Sequence, residues 1–483
     1  MCLNRLGKSV EIFKERDIFM NKPRIGLLGL MTDGYEVTFP GIVARQEAYA
    51  RELVEFLSPV VEVDFPGAGL NRRSIEEKVR YFNEQKLDGI LIVLLAYSQG
   101  SYLLRALQDN RLPLALAVVQ ADSTVLDDFE ELDLTVNQGI HGAQDNANVI
   151  TRNGFRCQFF AGERHSERFA RFVEDFGYAA RTYQKMRSMK VGVIGRMPGM
   201  GDILTDDMAF YSKIGPEICH DTIGSVYSRM ESITKAEIDR QIEKDHATFR
   251  MDPKLSYESH AEAVKMYLGF KKYLEEKEFG AFTAHFDVFG DDGKRFHQLP
   301  LYAASQLMAD GYGYAAEGDF MCASMVAAAH SLENHGGNFT EMYMMDFEKQ
   351  AIIFCHAGEG NWATHRSDIQ PHLIDRYLGE GGLENPPTIM FTPKVGPSTL
   401  TSLAAVNGSK FRLVTAKGEI LPKSDLQRCE MPYFFWRPDS GMTNCVEGWL
   451  RNGGTHHEVI SIGDVRNRWK MLCDMWDVEY TEV

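Results

Sequence analysis

Short apolar runs alternate with amphipathic stretches along the first third of the chain, starting at Arg24. The apolar runs are rich in leucine and β-branched residues and predict strands, whereas the stretches between them predict helices. The strands are predicted at 25–30, 60–65, 89–95 and 114–120, and the helices around 41–57, 73–86 and 99–109. Continuous apolar strands separated by helices are typical of a parallel sheet covered on both faces. This part of the chain is therefore predicted to be a doubly wound α/β domain.

A similar series starts at the apolar run 189–195 and continues with a strand at 281–289 and a helix at 301–309. Beyond about residue 340, short strands with turn signals replace the long helices, as in an antiparallel barrel or sandwich. These strands are predicted at 351–356, 388–392, 401–406, 411–415, 419–421 and 433–436, with a turn around Ala416-Lys-Gly and helices around 441–451 and 464–476. The predicted fold class is α/β, with two doubly wound, Rossmann-like α/β domains followed by a C-terminal β-barrel-like domain.

We place the domain boundaries near residues 187 and 340. This division gives an N-terminal α/β domain at 20–187, a central α/β domain at 188–340 and a C-terminal β-rich domain at 341–483. Several domains are expected because single hydrophobic cores stop growing at roughly 250–300 residues. Residues 1–19 contain charges throughout and no apolar run of signal-peptide length, so we predict an N-terminal extension outside the fold.

Charge and cysteine usage exclude several function classes. The formal net charge of −16 disfavours nucleic acid and anionic membrane as partners, because both require a basic surface. The eight cysteines include no Cys-x-x-Cys pair, which favours reduced thiols in the cytoplasm over a disulfide framework. The glycine-rich segment 191–201 does not match Gly-x-Gly-x-x-Gly, and no P-loop, nucleophile elbow or zinc-type Cys/His spacing occurs.

Four potential metal ligands lie in the second half of the chain: Glu317, Glu341, His356 and His457. Glu317 follows a predicted strand and precedes an apolar helical stretch, which places it at the sheet edge where open α/β folds bind ligands. Two carboxylates and two neutral imidazoles suit a divalent cation such as Mn²⁺, which keeps positions open for a substrate. Taken singly, each residue also has an ordinary structural role, such as an acidic group at a helix start or a core histidine.

The sequences around these four residues resemble the metal-binding segments of L-arabinose isomerases, in the wider arabinose/fucose isomerase group. The segments are Tyr-Gly-Tyr-Ala-Ala-Glu317-Gly-Asp, Phe-Thr-Glu341-Met-Tyr, Cys-His356 and Gly-Gly-Thr-His-His457. Asn-Gln138-Gly-Ile-His141-Gly is similar to a further family segment whose glutamine and histidine face the sugar. Matches also occur in Ala-Phe-Thr283-Ala-His-Phe286 and Gln298-Leu-Pro300.

The resemblance implies an aldose–ketose isomerase that binds Mn²⁺, with Co²⁺ as an alternative metal, through Glu317, Glu341, His356 and His457. Glu317 and Glu341 would also be the catalytic acid/base pair, because moving a proton between C1 and C2 through a cis-enediol needs a carboxylate near a carbon acid. The residues expected to bind the monosaccharide are Tyr97, Gln138, His141, Thr283 and Phe286. A homo-oligomer is also implied, a trimer or hexamer, in which His141 faces a neighbouring subunit's site.

Two departures from the family pattern concern the sugar rather than the metal. The loop after the first strand reads Leu30-Met-Thr32-Asp33-Gly-Tyr35 in place of a glutamine-containing loop, and Tyr97 stands at a family phenylalanine. Isomerase chemistry is therefore better supported than arabinose as the substrate, because sites that hydrogen-bond particular hydroxyls discriminate strongly among sugars. Asp346 is a reserve ligand, since fucose-type relatives use an aspartate in this region. His456 is expected to point to the face opposite His457.

Two other functions stay open from the sequence. A non-catalytic sugar-binding or regulatory protein would share the two α/β domains, but the full ligand set counts against it because a binding module needs no such cation. A metal-dependent aldolase or hydrolase would share the ligands, but no other sequence feature favours it. Sugar binding that survives EDTA, without turnover, would indicate the binding protein.

Overall fold

The computed structural model describes residues 22–290, 295–333, 336–378, 382–422, 426 and 428–483. These residues form two compact units, the first containing 22–184 with 467–476 and the second containing 185–466 with 477–483. The extension predicted at 1–19 lies outside the described residues. Among the described helices, none combines the length and the apolar character needed to cross a membrane.

The first unit contains a parallel sheet covered by helices. Its strands are Arg24–Leu30 (β1), Glu62–Asp64 (β2), Gly89–Leu94 (β3), Leu114–Val118 (β4) and Cys157–Ala161 (β5), in the order β2-β1-β3-β4-β5. The helices that lie wholly or mostly in this unit are Gly34–Thr38 (α1), Ile42–Leu57 (α2), Arg72–Glu84 (α3), Gly100–Gln108 (α4), Glu131–Asn137 (α5), Gly139–Arg152 (α6), Glu167–Ser188 (α7) and the late helix Arg466–Trp476.

Burial along β3 explains why the sheet is covered on both faces. Leu91 and Val93 belong to one apolar core, whereas Ile90 and Ile92 belong to a second core. Successive side chains of a strand point to opposite faces, so a run of apolar residues needs a helical layer on each side. The doubly wound α/β prediction is confirmed.

The second unit begins with another parallel sheet. Its strands are Lys190–Ile194 (β6), Glu217–Asp221 (β7), Phe279–Ala284 (β9) and Gly313–Ala316 (β10), in the order β10-β9-β6-β7. The accompanying helices are Asp207–Lys213 (α8), Ile223–Met230 (α9), Lys235–Thr248 (α10), Tyr257–Lys277 (α11), Asp287–Gly290 (α12), Leu301–Ala309 (α13) and Phe320–Leu332 (α14). A small sheet is formed by Arg250–Met251 (β8), His372–Asp375 (β13) and Pro387–Met390 (β14).

The prediction of a strand over 281–289 was wrong in its second half. The strand ends at Ala284, where it reaches the sheet edge, and a short helix follows. His285 closes the strand end, because its N–H donates to the Ile194 carbonyl at 3.0 Å and its Nδ1 accepts the Asp287 N–H at 2.9 Å. Apolar composition alone did not separate this short helical turn from the strand.

A closed antiparallel barrel follows. Its strands are Asn338–Asp346 (β11), Ala351–Cys355 (β12), Gly396–Val406 (β15), Lys410–Ile420 (β16), Phe434–Pro438 (β17) and His457–Ile462 (β18). The order is β15-β18-β11-β12-β17-β16, and β16 pairs back with β15 to close the ring. The helix Met442–Arg451 (α15) contributes Trp449 to the same core as Leu400 and Trp436, and Glu479–Glu482 (β19) pairs with β16. The predicted β-barrel-like domain is confirmed.

The turn predicted around Ala416-Lys-Gly was also wrong, since β16 runs unbroken through it. The hairpin turn lies between the strands predicted at 401–406 and 411–415, at Asn407 and Gly408, whose φ angles are +48° and +79°. Positive φ at both central residues is the geometry that an Asn-Gly hairpin turn requires. Gly418 marks a close approach rather than a turn, because a Cβ there would lie 2.6 Å from the Trp436 ring.

Candidate functional site

Glu317 occupies a strained turn between β10 and α14. Its φ is +66°, a left-handed conformation that residues other than glycine rarely adopt. Backbone hydrogen bonds hold the turn, because the Glu317 N–H donates to the Ala284 carbonyl at 2.9 Å and the Met197 N–H donates to the Glu317 carbonyl at 2.8 Å. Gly318 follows with φ +88°, and a Cβ there would lie 2.5 Å from Arg196 Cα. Backbone strain of this kind clusters at functional sites.

The barrel strands bring Glu341, His356 and His457 together. Glu341 on β11 lies directly opposite His457 on β18, and His356 directly follows β12. His457 Nε2 lies 3.4 Å from Glu341 Oε1 and 3.3 Å from Glu317 Oε2. His356 Nε2 lies 3.7 Å from Glu341 Oε1. All four predicted ligands therefore converge, although they come from four separate segments of the chain.

Unpartnered polar atoms make this cluster suitable for a cation. Glu317 Oε2 and His457 Nε2 are buried and have no hydrogen-bond partner among the described residues. Such atoms are rare in folded proteins and call for a ligand or ion. Two sets of residues have potential ligand atoms within 4.8 Å of one another: Glu317, His456 and His457, and Glu341, His356 and His457. Mixed carboxylate and imidazole donors suit a borderline divalent cation.

Buried carboxylates orient two of the imidazoles. His457 Nδ1 lies 2.9 Å from Asp319 Oδ2, and His356 Nδ1 lies 3.1 Å from Glu359 Oε2. The Tyr314 hydroxyl donates to Glu359 Oε1 at 2.9 Å. Both rings therefore present Nε2 to the cluster, in the way that metal-binding histidines are usually held. Sequence reasoning missed both carboxylates, although Asp319 lies two residues after Glu317 and Glu359 lies three after His356.

Close contacts between the carboxylates and the imidazoles of the cluster shift two pKa values. Burial lowers the pKa of His457, but contacts with Asp319, Glu317 and Glu341 outweigh burial and hold that pKa well above its ordinary value. Burial raises the pKa of Glu317, but the neighbouring histidines, His457 above all, outweigh it and hold the pKa below its usual range. A divalent cation would have to displace the imidazole protons in order to bind.

His456 does not point away from the cluster, so that expectation was wrong. Its Nε2 lies 3.7 Å from Glu341 Oε1 and 4.0 Å from Glu317 Oε2, and its ring centroid lies 4.1 Å from that of His457. The alternation of a strand does not apply, because β18 begins only at His457.

The reserve ligand Asp346 lies outside both sets of potential metal ligands. It ends β11 opposite Ala351 and binds Lys349 Nζ at 2.7 Å.

Thr283 and Phe286 lie beside the cluster with different roles. The Thr283 hydroxyl accepts the Gly318 N–H at 3.0 Å and donates to the Ala316 carbonyl at 3.2 Å, and the side chain is completely buried. This hydroxyl holds the Glu317 turn. Phe286 is half-buried and stacks on His356, with ring centroids 6.2 Å apart and planes inclined by 25°.

The remaining predicted residues lie together in the first unit. Tyr97 follows β3 at the carboxyl edge of the sheet, and its ring stacks on that of His141 with centroids 4.9 Å apart. The Tyr97 hydroxyl donates to Asp145 Oδ2 at 3.1 Å. Gln138 links α5 to α6 and is half-buried, whereas His141 is exposed. The first unit thus presents an aromatic pair and an amide at the edge where parallel sheets bind ligands.

Comparison with known proteins gives two family models that match consecutive parts of the chain. The model of the L-arabinose isomerase central domain matches residues 204–335, and that of the L-arabinose isomerase C-terminal domain matches residues 336–479. An L-arabinose isomerase of Clostridium beijerinckii is 24% identical over 477 residues, covering 93% of this chain and 94% of the relative. One of Leuconostoc mesenteroides is 25% identical over 468 residues, covering 92% and 96%.

A solved structure with partial likeness is a periplasmic solute-binding protein of Actinobacillus succinogenes with bound D-allose. It is 12% identical, covers 65% of this chain and 92% of its own, and has a TM-score of 0.17. A likeness at this level supports no argument.

Proposed function

The chain belongs to the L-arabinose isomerase family, and we propose that it interconverts an aldose and a ketose at a divalent-cation site formed by Glu317, Glu341, His356 and His457. Family membership makes it a sugar isomerase, an intramolecular oxidoreductase. The convergence of two carboxylates and two imidazoles with unpartnered buried atoms supports the metal site. Mn²⁺ is the proposed ion, with Co²⁺ as an alternative, because both accept nitrogen and oxygen donors.

Glu317 and Glu341 have the chemistry that the isomerisation needs. The reaction removes a proton from one carbon and returns it to the neighbouring carbon, which we propose occurs through a cis-enediol. One carboxylate would accept the carbon-bound proton while the other group of the pair moves the proton of the adjacent oxygen. A divalent cation held beside them would supply Lewis-acid polarisation of the sugar oxygens. Both carboxylates lie within 3.4 Å of His457 Nε2, so they share one small site.

We propose that the substrate is a monosaccharide. Tyr97, Gln138 and His141 would bind its hydroxyls and apolar face, while Phe286 forms a wall next to His356. Thr283 would act indirectly by fixing the Glu317 turn. The loop 30–35 and Tyr97 differ from the family pattern, so the sugar is left open to a panel of aldoses and ketoses.

We further propose a cytoplasmic homo-oligomer, a trimer or hexamer, in which His141 serves a neighbouring subunit. His141 is exposed, and two large apolar side chains on the same helices are exposed as well, Leu134 at 56% and Ile140 at 57%. Both apolar side chains would be covered if this face lay at a subunit interface. The net charge of −16 argues against nucleic acid and anionic membrane as further partners.

The test is isomerisation across a sugar panel by EDTA-stripped protein with and without Mn²⁺. We expect turnover of at least one sugar that requires the metal, and its loss in a Glu317→Gln/Glu341→Gln double variant, by at least 10³-fold, as is usual when an acid/base pair is removed. Asp346→Asn is the matched control, because it removes a carboxylate from the same strand as Glu341 but outside the cluster. Sugar binding that survives EDTA, with no turnover, would instead indicate a non-catalytic sugar-binding protein.

A further inference from the structure

A third imidazole–carboxylate pair lies at the edge of the cluster. Asp202 Oδ2 accepts the His456 backbone N–H at 2.9 Å and lies 2.7 Å from His456 Nδ1. One carboxylate oxygen therefore contacts both the backbone and the ring of the same residue. An ionised carboxylate only accepts hydrogen bonds, so Nδ1 donates to Asp202 and Nε2 is the ring nitrogen that faces the cluster.

This pair differs from the two pairs that orient His356 and His457. Those four side chains are almost fully buried, with exposures of 0–4%. The side chains of His456 and Asp202 are 39% and 37% exposed, so their pair is accessible to a solute. His456 Nε2 is too far from Glu341 Oε1 and Glu317 Oε2, at 3.7 and 4.0 Å, for a hydrogen bond to either.

The loop that carries Asp202 also holds the Glu317 turn. Met197, five residues earlier, donates its N–H to the Glu317 carbonyl at 2.8 Å. The loop that follows β6 therefore contacts two segments of the cluster, the Glu317 turn and the start of β18. A single loop thus contacts the backbone of both Glu317 and His456.

We propose that Asp202 is a positioning residue of the isomerase site, holding His456 so that its Nε2 forms a hydrogen bond with a hydroxyl of the bound sugar. The inference rests on the proposed function. This hydroxyl would lie beside Glu317 and Glu341, the two carboxylates that His456 Nε2 faces. Asp202 itself touches neither the metal nor the reacting carbons.

The first test compares Asp202→Ala with Asp319→Ala in Mn²⁺ titration calorimetry and in turnover of the best sugar of the panel. Asp319→Ala removes the partner of a proposed ligand and should weaken Mn²⁺ binding about 10–100-fold. Asp202→Ala should keep a Mn²⁺ affinity within about threefold of the wild-type value, but its kcat/KM should fall about 10–100-fold. Asp202→Asn keeps an oxygen acceptor for the His456 backbone and ring, and should recover most of that loss.

The second test combines Asp202→Ala with His456→Ala. Because Asp202 acts through His456, the double variant should have the same kcat/KM as His456→Ala alone. The proposal would be overturned if the reductions in kcat/KM of the two single variants multiplied in the double variant. It would also be overturned if Asp202→Ala lost as much Mn²⁺ affinity as Asp319→Ala, because His456 would then be a metal ligand. Absence of turnover in the wild-type protein would overturn the proposed function as well. Wild-type turnover that Asp202→Ala leaves unchanged would overturn only the role of Asp202.

Discussion

At the scale of single residues, the backbone of Glu317 is the feature with the clearest physical cost. A left-handed conformation costs a residue with a Cβ about 1–2 kcal/mol, yet a glutamate stands here and not a glycine. The turn persists because Ala284, Met197 and Thr283 fix its backbone groups on both sides. The carboxylate is therefore placed by contacts that extend well beyond the local sequence.

Replacing Glu317 by glycine and by alanine should separate this strain from the chemistry. Both variants lose the carboxylate, but glycine accepts φ +66° without strain. The free energy of unfolding of Glu317→Gly should therefore be about 1 kcal/mol larger than that of Glu317→Ala. The measurement is chemical denaturation of the metal-free proteins. The same pair at Glu341, which is paired with both neighbouring strands, is the control, and there glycine should be the less stable variant. If the glycine variant were the less stable one at both positions, or the more stable one at both, the strain argument would be contradicted.

At the scale of elements, the packing of α14 on β10 positions two groups of the site. All thirteen residues of α14 are buried, and the helix begins with the Asp319 side chain accepting the Cys322 N–H. Gly313 on β10 allows this close packing, because a Cβ there would lie 2.1 Å from the Ala323 carbonyl oxygen. The distance between strand and helix thus determines where Glu317 and Asp319 lie.

Gly313→Ala should therefore destabilise the protein and disturb the metal site together. The added methyl meets backbone and two alanine methyl groups that cannot rotate away, so we expect a loss of about 1–3 kcal/mol. Thermal unfolding and Mn²⁺ titration calorimetry would measure the two effects. Gly34→Ala is the matched control, since its methyl would meet only the Thr32 hydroxyl at 3.9 Å. If both substitutions had the same effect, close packing of β10 on α14 would not be the cause.

At the scale of the whole molecule, each compact unit carries part of the proposed machinery. The second unit contains all the proposed metal ligands, and the first contains Tyr97, Gln138 and His141. The proposed oligomer would supply His141 from one subunit to the metal site of another. In a closed symmetric assembly, every subunit would give its His141 to one neighbour and receive a His141 from a neighbour, because all subunits are equivalent.

Co-expression of two inactive variants should test this sharing. One variant is His141→Ala and the other is Glu317→Gln/Glu341→Gln, and neither should turn over sugar alone. Mixed oligomers should regain about a quarter of the wild-type activity, because half of the metal sites and half of the neighbours keep intact residues. Separate purification followed by mixing, without subunit exchange, is the control. Mixed oligomers that stay inactive would mean that His141 acts within its own subunit.

Local patterns in the sequence were sufficient for much of the fold. Runs such as 89–95 and 114–120 predicted parallel strands, because a strand buried on both faces must be apolar throughout. Asn407-Gly408, between the strands predicted at 401–406 and 411–415, also contained the signal of its hairpin turn, although a second turn was wrongly predicted at 416–418. The four converging residues Glu317, Glu341, His356 and His457 were found through a family resemblance, since each alone has an ordinary structural role.

Other features were decided only by the tertiary structure. Asp319 and Asp202 hold His457 and His456 through contacts that no local periodicity encodes, because the paired residues lie 138 and 254 positions apart in the chain. The direction of the His456 ring depends on that contact and not on strand alternation. The sequence by itself determined which segments are apolar and which residue types carry chemistry, because hydrophobic pattern and turn-forming residue types are local properties. Only the closed barrel and the sheet edge decided which of those groups meet, because that depends on packing between distant segments.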